Sequence, residues 1–118
     1  ETEARQLPWR VDNRLRRLPV GETITIRISE LHELSVGLGA HQFTFHVEDD
    51  LLHLTDVDGH RYLVRPGRNM VGRHPECDLS IAGRFRNVSR VHAIFDWQVR
   101  QALRITDLST KGTFLSID

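Results

Sequence analysis

A single cysteine, Cys77, in 118 residues leaves no partner for an internal disulfide. The fold must therefore be held by its core, and a reducing compartment, the cytoplasm, is expected. No apolar run approaches the roughly 20 residues that a membrane helix needs. An excess of charge of either sign is also missing, because sixteen basic residues balance sixteen acidic ones. That balance argues against a nucleic-acid or membrane-surface partner. Helical periodicity is scarce: only residues 10–18 could pass for a helix, confined by Pro8 and Pro19. No internal repeat or low-complexity tract occurs. The seven histidines form no His-x-x-x-His or Cys/His cluster, so neither a metal nor another cofactor is expected. Ser89, His92 and Asp107 have the residue types of a hydrolytic triad. They lack a Gly-x-Ser-x-Gly elbow, and the histidine follows the serine by only three residues, so no catalytic residue is assigned.

What remains is an ordinary globular composition, 39% hydrophobic and 27% charged, at the usual length of one domain. Period-two alternation recurs along it. Residues 23–28 put three isoleucines on one face, and residues 43–47 repeat the pattern with aromatics. Residues 52–54, 62–64, 91–97, 102–105 and 113–117 are further strand candidates. Turn signals separate them at Pro19–Gly21, Gly37–Gly39, Asp58–Gly59, Pro66–Gly67, His74–Pro75 and Lys111–Gly112. A turn about every ten residues favours a β-sandwich or barrel. Residues 1–8 read as a linker, and an opening without an initiator Met or a signal-peptide plan suggests a piece of a longer protein. The Arg-rich, Met-poor composition points to a bacterial source.

Three blocks in the second half pair turn residues with a guanidinium or hydroxyls beside candidate strands. In Gly72–Arg73, a residue that permits close backbone approach precedes a planar five-donor fork suited to a phosphate. Ser89 can donate its hydroxyl to a phosphate oxygen, with Arg90 beside it as a second cation. Thr110 and Lys111 could bring a hydroxyl and an ammonium to the same anion. Taken singly, each block reads equally as a strand end, a Ser-capped turn and a plain hairpin turn closing at Gly112.

Taken in order, the series 62–73, 77–81, 88–93 and 107–114 resembles the forkhead-associated (FHA) domain, an all-β two-sheet antiparallel sandwich that binds phosphothreonine peptides. The resemblance implies phosphate contacts for Arg73 and Ser89. It implies peptide or phosphate contacts for Arg90, and contact with the phosphate or support of a threonine-methyl pocket for Thr110. Gly72, His92, Asp107 and Gly112 match residues that pin the recognition loops together. Lys111 stands where the family usually has Asn; it keeps a donor and loses an acceptor, which bears on peptide selectivity. The expected partner is a phosphothreonine-containing protein or peptide, read out in Ser/Thr kinase-dependent signalling or assembly. A phosphate-independent interaction or scaffold domain is the alternative.

The resemblance also implies strands beyond residue 117, and residues 9–47 resemble them in their proper order. The expected arrangement is a circular permutation, in which 9–47 supply the family's C-terminal strands and 51–117 its N-terminal strands and binding loops. Strand exchange in a swapped dimer and an unrelated N-terminal extension are the lesser alternatives.

Overall fold

The computed structural model describes residues 15–116, apart from the side chains of Leu15 and Ser116. Its strands are β1 (Leu15–Arg17), β2 (Thr23–Arg27), β3 (Leu34–Leu38), β4 (His41–Glu48), β5 (Leu51–Asp56), β6 (Arg61–Val64), β7 (Gly67–Gly72), β8 (Leu79–Ser80), β9 (Ala93–Gln98), β10 (Ala102–Asp107) and β11 (Thr113–Ser116). Alternation dictates how they face. Phe43, Phe45 and Val47 of β4, Leu52 and Leu54 of β5, and Ala93, Phe95 and Trp97 of β9 are all buried, while the residues between them in each strand are only partly so. A strand with one apolar face must cover it, and two sheets solve this by stacking.

The six-stranded sheet has the order β1-β11-β3-β4-β5-β6, and the five-stranded sheet β2-β10-β9-β7-β8. Phe45 of the first meets Phe95 of the second edge to face, centroids 5.3 Å apart. The pairing is antiparallel except between β7 and β8, which run parallel; the expected sandwich is thus mixed at that edge.

The two halves of the sequence interleave in both sheets. β2 pairs with β10, β3 with β11, and β1 with the far side of β11. Leu15 and Ser116 are register partners, so the ends of the described chain lie opposite one another. β4 runs into β5 through Asp49 and Asp50 alone, both at positive φ (54° and 65°), the conformation of a two-residue hairpin turn.

Several expectations need correction. Of the helix candidate, residues 15–17 form strand β1 and Leu18 follows it outside any strand; residues 10–14 lie outside the described residues. Gly37 and Leu38 belong to β3 rather than to a turn, and Gly67 opens strand β7. Ile28 leaves β2 for a 3-10 turn (Ile28–Glu30), and β9 begins at Ala93, leaving Val91 and His92 in a loop.

Candidate phosphate-binding site

Beyond the paired residues of β7 and β9, further backbone hydrogen bonds join the two segments. His92 N–H donates to the Val71 carbonyl at 2.7 Å, Arg73 N–H to Ser89 at 3.1 Å, and His74 N–H to Arg90 at 3.0 Å. The exit of β7 is thereby stitched to the loop that precedes β9. Gly72 is required at this stitch: a Cβ there would lie 2.1 Å from the Arg90 carbonyl oxygen, far inside van der Waals contact. Arg73 then leaves the strand with its Nε–H donated to the Val88 carbonyl. That bond fixes the guanidinium's direction and leaves its two terminal nitrogens for a ligand.

His92 ties the second loop to the third. The imidazole is fully buried. Its Nδ1 accepts the Ser89 N–H at 2.9 Å, and its Nε2 stands 2.9 Å from the Gly112 carbonyl. These two partners assign the tautomer: the ring is neutral, with its proton on Nε2. Burial pushes the His92 pKa down, while the Gly112 carbonyl and the charge of Asp107 act against that shift. The His92 backbone carbonyl also accepts the Leu108 N–H at 2.9 Å.

The third loop is closed from within. Asp107 Oδ1 accepts the Ser109 N–H at 3.1 Å, the Ser109 hydroxyl at 2.7 Å and the Thr113 hydroxyl at 2.8 Å. The Ser109 oxygen in turn accepts the Gly112 N–H at 2.7 Å. Gly112 sits at φ +99°, where a Cβ would also press on Arg17 Nε at 2.8 Å. Asp107, Ser109 and Thr113 are buried, and charge-assisted bonds inside a closed turn are the stronger kind. The result presents Thr110 and Lys111 outward on a fixed frame.

These loops meet around a cavity of about 390 Å³, lined by Arg73, Ser89, Arg90, Thr110 and Lys111 together with Arg86, Asn87, Val88, Val91 and Leu108. All five residues expected to touch a ligand face one space. The four expected supports, Gly72, His92, Asp107 and Gly112, lie behind it in the contacts just described. Residue-type reasoning missed Ser109 and Thr113, whose hydroxyls complete the Asp107 turn, and Arg86, which enters the lining from the same loop as Ser89. Apart from Val88, which is buried, the apolar lining is slight: Leu108 is 43% exposed and Val91 half-buried.

The chemistry on offer is electrostatic capture. Cations, hydroxyls and backbone loops surround the space, and among the described residues no carboxylate lines it. Among the described residues no group of three or more His, Cys, Asp or Glu side chains could hold a metal ion, and no helix is long and apolar enough to cross a membrane. No curated protein and no solved structure matches the chain significantly. Residues 69–117 match the family model of the FHA domain; this stretch runs from within β7 past β11 and supplies the whole cavity lining.

Proposed function

We propose that this chain binds phosphothreonine in a partner protein and carries out no chemistry on it. FHA domains are phosphothreonine-binding, protein-interaction modules rather than enzymes. The observation that carries the reading is the convergence of Arg73, Ser89, Arg90, Thr110 and Lys111, from three separate loops, on one cavity. Arg73 and Ser89 hold the phosphate, Arg90 and Lys111 add charge, and Thr110 contributes a hydroxyl. Val91 and Leu108 offer the apolar surface on which the threonine methyl rests. Such a module serves Ser/Thr kinase-dependent signalling or assembly in the cytoplasm.

The same reading takes the fold as a permuted FHA sandwich, with residues 9–47 standing for the closing strands and 51–117 for the opening strands and loops. It is supported by the pairing of β1, β2 and β3 with β10 and β11 of the same chain, and by the two-residue link between β4 and β5.

Titration of a phosphothreonine peptide and its unphosphorylated twin tests the function. The phosphopeptide binds and the twin does not; Arg73→Ala abolishes binding while the circular dichroism of the fold persists. Equal binding of the twin, or undiminished affinity in the variant, refutes the assignment.

A further inference from the structure

Four of the ten residues lining the cavity are cationic (Arg73, Arg86, Arg90 and Lys111), and none is acidic. In a chain whose formal charges cancel, this is a strong local separation. Elsewhere Arg27, Arg84 and Arg100 each have a carboxylate within reach, while Arg61, Arg65, Arg68 and Arg104 form no ion pair among the described residues; the cavity differs in bringing four unpaired cations to one space. Arg86, Arg90 and Lys111 are exposed, so only solvent meets them until a ligand arrives.

One phosphate brings a charge of about −1.5 to −2. Against four cations it leaves roughly two positive charges unmatched. Uncompensated like charges repel one another, and the arrangement is relieved when the ligand carries a second anionic group. Arg86 is the residue best placed to receive it. It lies three residues before Ser89 on the same loop, and no hydrogen bond of its side chain among the described residues commits it elsewhere.

We infer that the site takes a phosphothreonine peptide with a further negative group flanking the phosphothreonine, and that Arg86 is its specificity-determining residue. The inference rests on the phosphothreonine reading above. The second group is either a carboxylate of Asp or Glu or a second phosphate on a neighbouring residue. Their shared chemistry is an anion that accepts from a guanidinium.

Calorimetric titration with three phosphothreonine peptides distinguishes the cases: one with alanine flanks, one with aspartate flanks, and one with a second phosphorylated residue. At about 0.05 M salt the anionic pair bind about threefold to fivefold tighter than the alanine peptide, as expected for partly exposed pairs, and the gain shrinks as salt shortens the Debye length. Whichever of the two gains more identifies the source of the second anion. In Arg86→Gln the ratio of anionic to alanine-flanked affinity falls toward one. In Arg100→Gln, at the opposite end of β10, it holds, although the formal charge change is the same. Equal affinities for all three peptides overturn the inference and leave phosphothreonine binding standing. An equal fall of the ratio in both variants overturns it as well, since the gain is then the long-range field alone. Binding of a single-stranded oligonucleotide as tight as that of the peptides would reject it in favour of a general polyanion surface. Failure of every phosphopeptide to bind removes both this inference and the function beneath it.

Discussion

His92 Nε2 stands 2.9 Å from the carbonyl oxygen of Gly112, and that one contact crosses from the loop before β9 to the loop before β11. With Nδ1 accepting from Ser89 on the other side, a single neutral ring holds the serine loop and the Thr110–Lys111 loop at a fixed separation. The cavity is built on this spacing.

Replacing His92 with alanine strands the Ser89 N–H and the Gly112 carbonyl in a buried setting and opens a void. A loss of about 3 kcal/mol of stability is expected, measurable by denaturant unfolding. Phosphopeptide affinity falls further than that of a surface control, because Ser89 and Thr110 lose their common anchor.

Acid should weaken the fold through the same ring. Burial holds the folded His92 pKa below its ordinary 6.5, so below that pH the unfolded chain takes up a proton that the folded chain refuses. The unfolded state then binds more protons, and stability drops as pH falls from about 7 toward 5. His41 and His53 are shifted the same way by burial, so His92→Gln flattens the dependence of the unfolding midpoint on pH without abolishing it. An unchanged slope in that variant would contradict the assignment.

Gly72→Ala forces a methyl to within 2.1 Å of the Arg90 carbonyl oxygen. The hydrogen bonds between the exit of β7 and the Ser89 loop must open, at a cost of about 3 kcal/mol. Amide exchange should report it, as loss of protection at Arg73 and His74, whose N–H groups bond Ser89 and Arg90.

Arg73→Lys separates charge from geometry. The ammonium keeps the charge but cannot give Nε to Val88 and two further donors to a phosphate at once. Phosphopeptide affinity is expected to fall about tenfold to a hundredfold with little change in the unfolding midpoint; an affinity within twofold of the original would show that charge alone suffices.

The permuted arrangement proposed above predicts that the chain tolerates being re-cut. Opening it between Asp49 and Asp50 and joining the present ends through a short Gly/Ser linker keeps every strand pair, since Leu15 and Ser116 already face each other across β1 and β11. The re-cut protein should fold and bind phosphopeptide within a few-fold of the original. A chain that does not fold would count against the equivalence of the halves.

Much of the sandwich is legible in the sequence because strands such as β4 and β9 alternate strictly, and alternation is a local property. β7 escapes that logic because it turns Asn69 inward. The amide is only 1% exposed and is satisfied there by the Arg65, Gly67 and Phe95 carbonyls and the Arg65 N–H. β1 escapes because nothing in Leu15, Arg16 and Arg17 favours a strand; pairing with β11 makes it one, and β11 lies about a hundred residues away in sequence. At the site, motif resemblance pointed to five of the ten lining residues and to four residues behind them. It could not reach Arg86, which carries no motif, or Ser109 and Thr113, whose value emerges only when the turn closes on Asp107.

The short link at Asp49–Asp50 belongs to the opposite pole of the molecule from the cavity. Arg100, in the turn between β9 and β10, reaches across to Asp50 at 2.9 Å, and all three residues adopt positive φ. Backbone irregularity there meets only solvent and a surface ion pair, whereas at the cavity Gly72 and Gly112 admit no extra atom without collision. The sandwich is thus permissive at one tip and unforgiving at the other. Insertions, grafts and drift in sequence can accumulate beside Asp50 without the candidate site registering them.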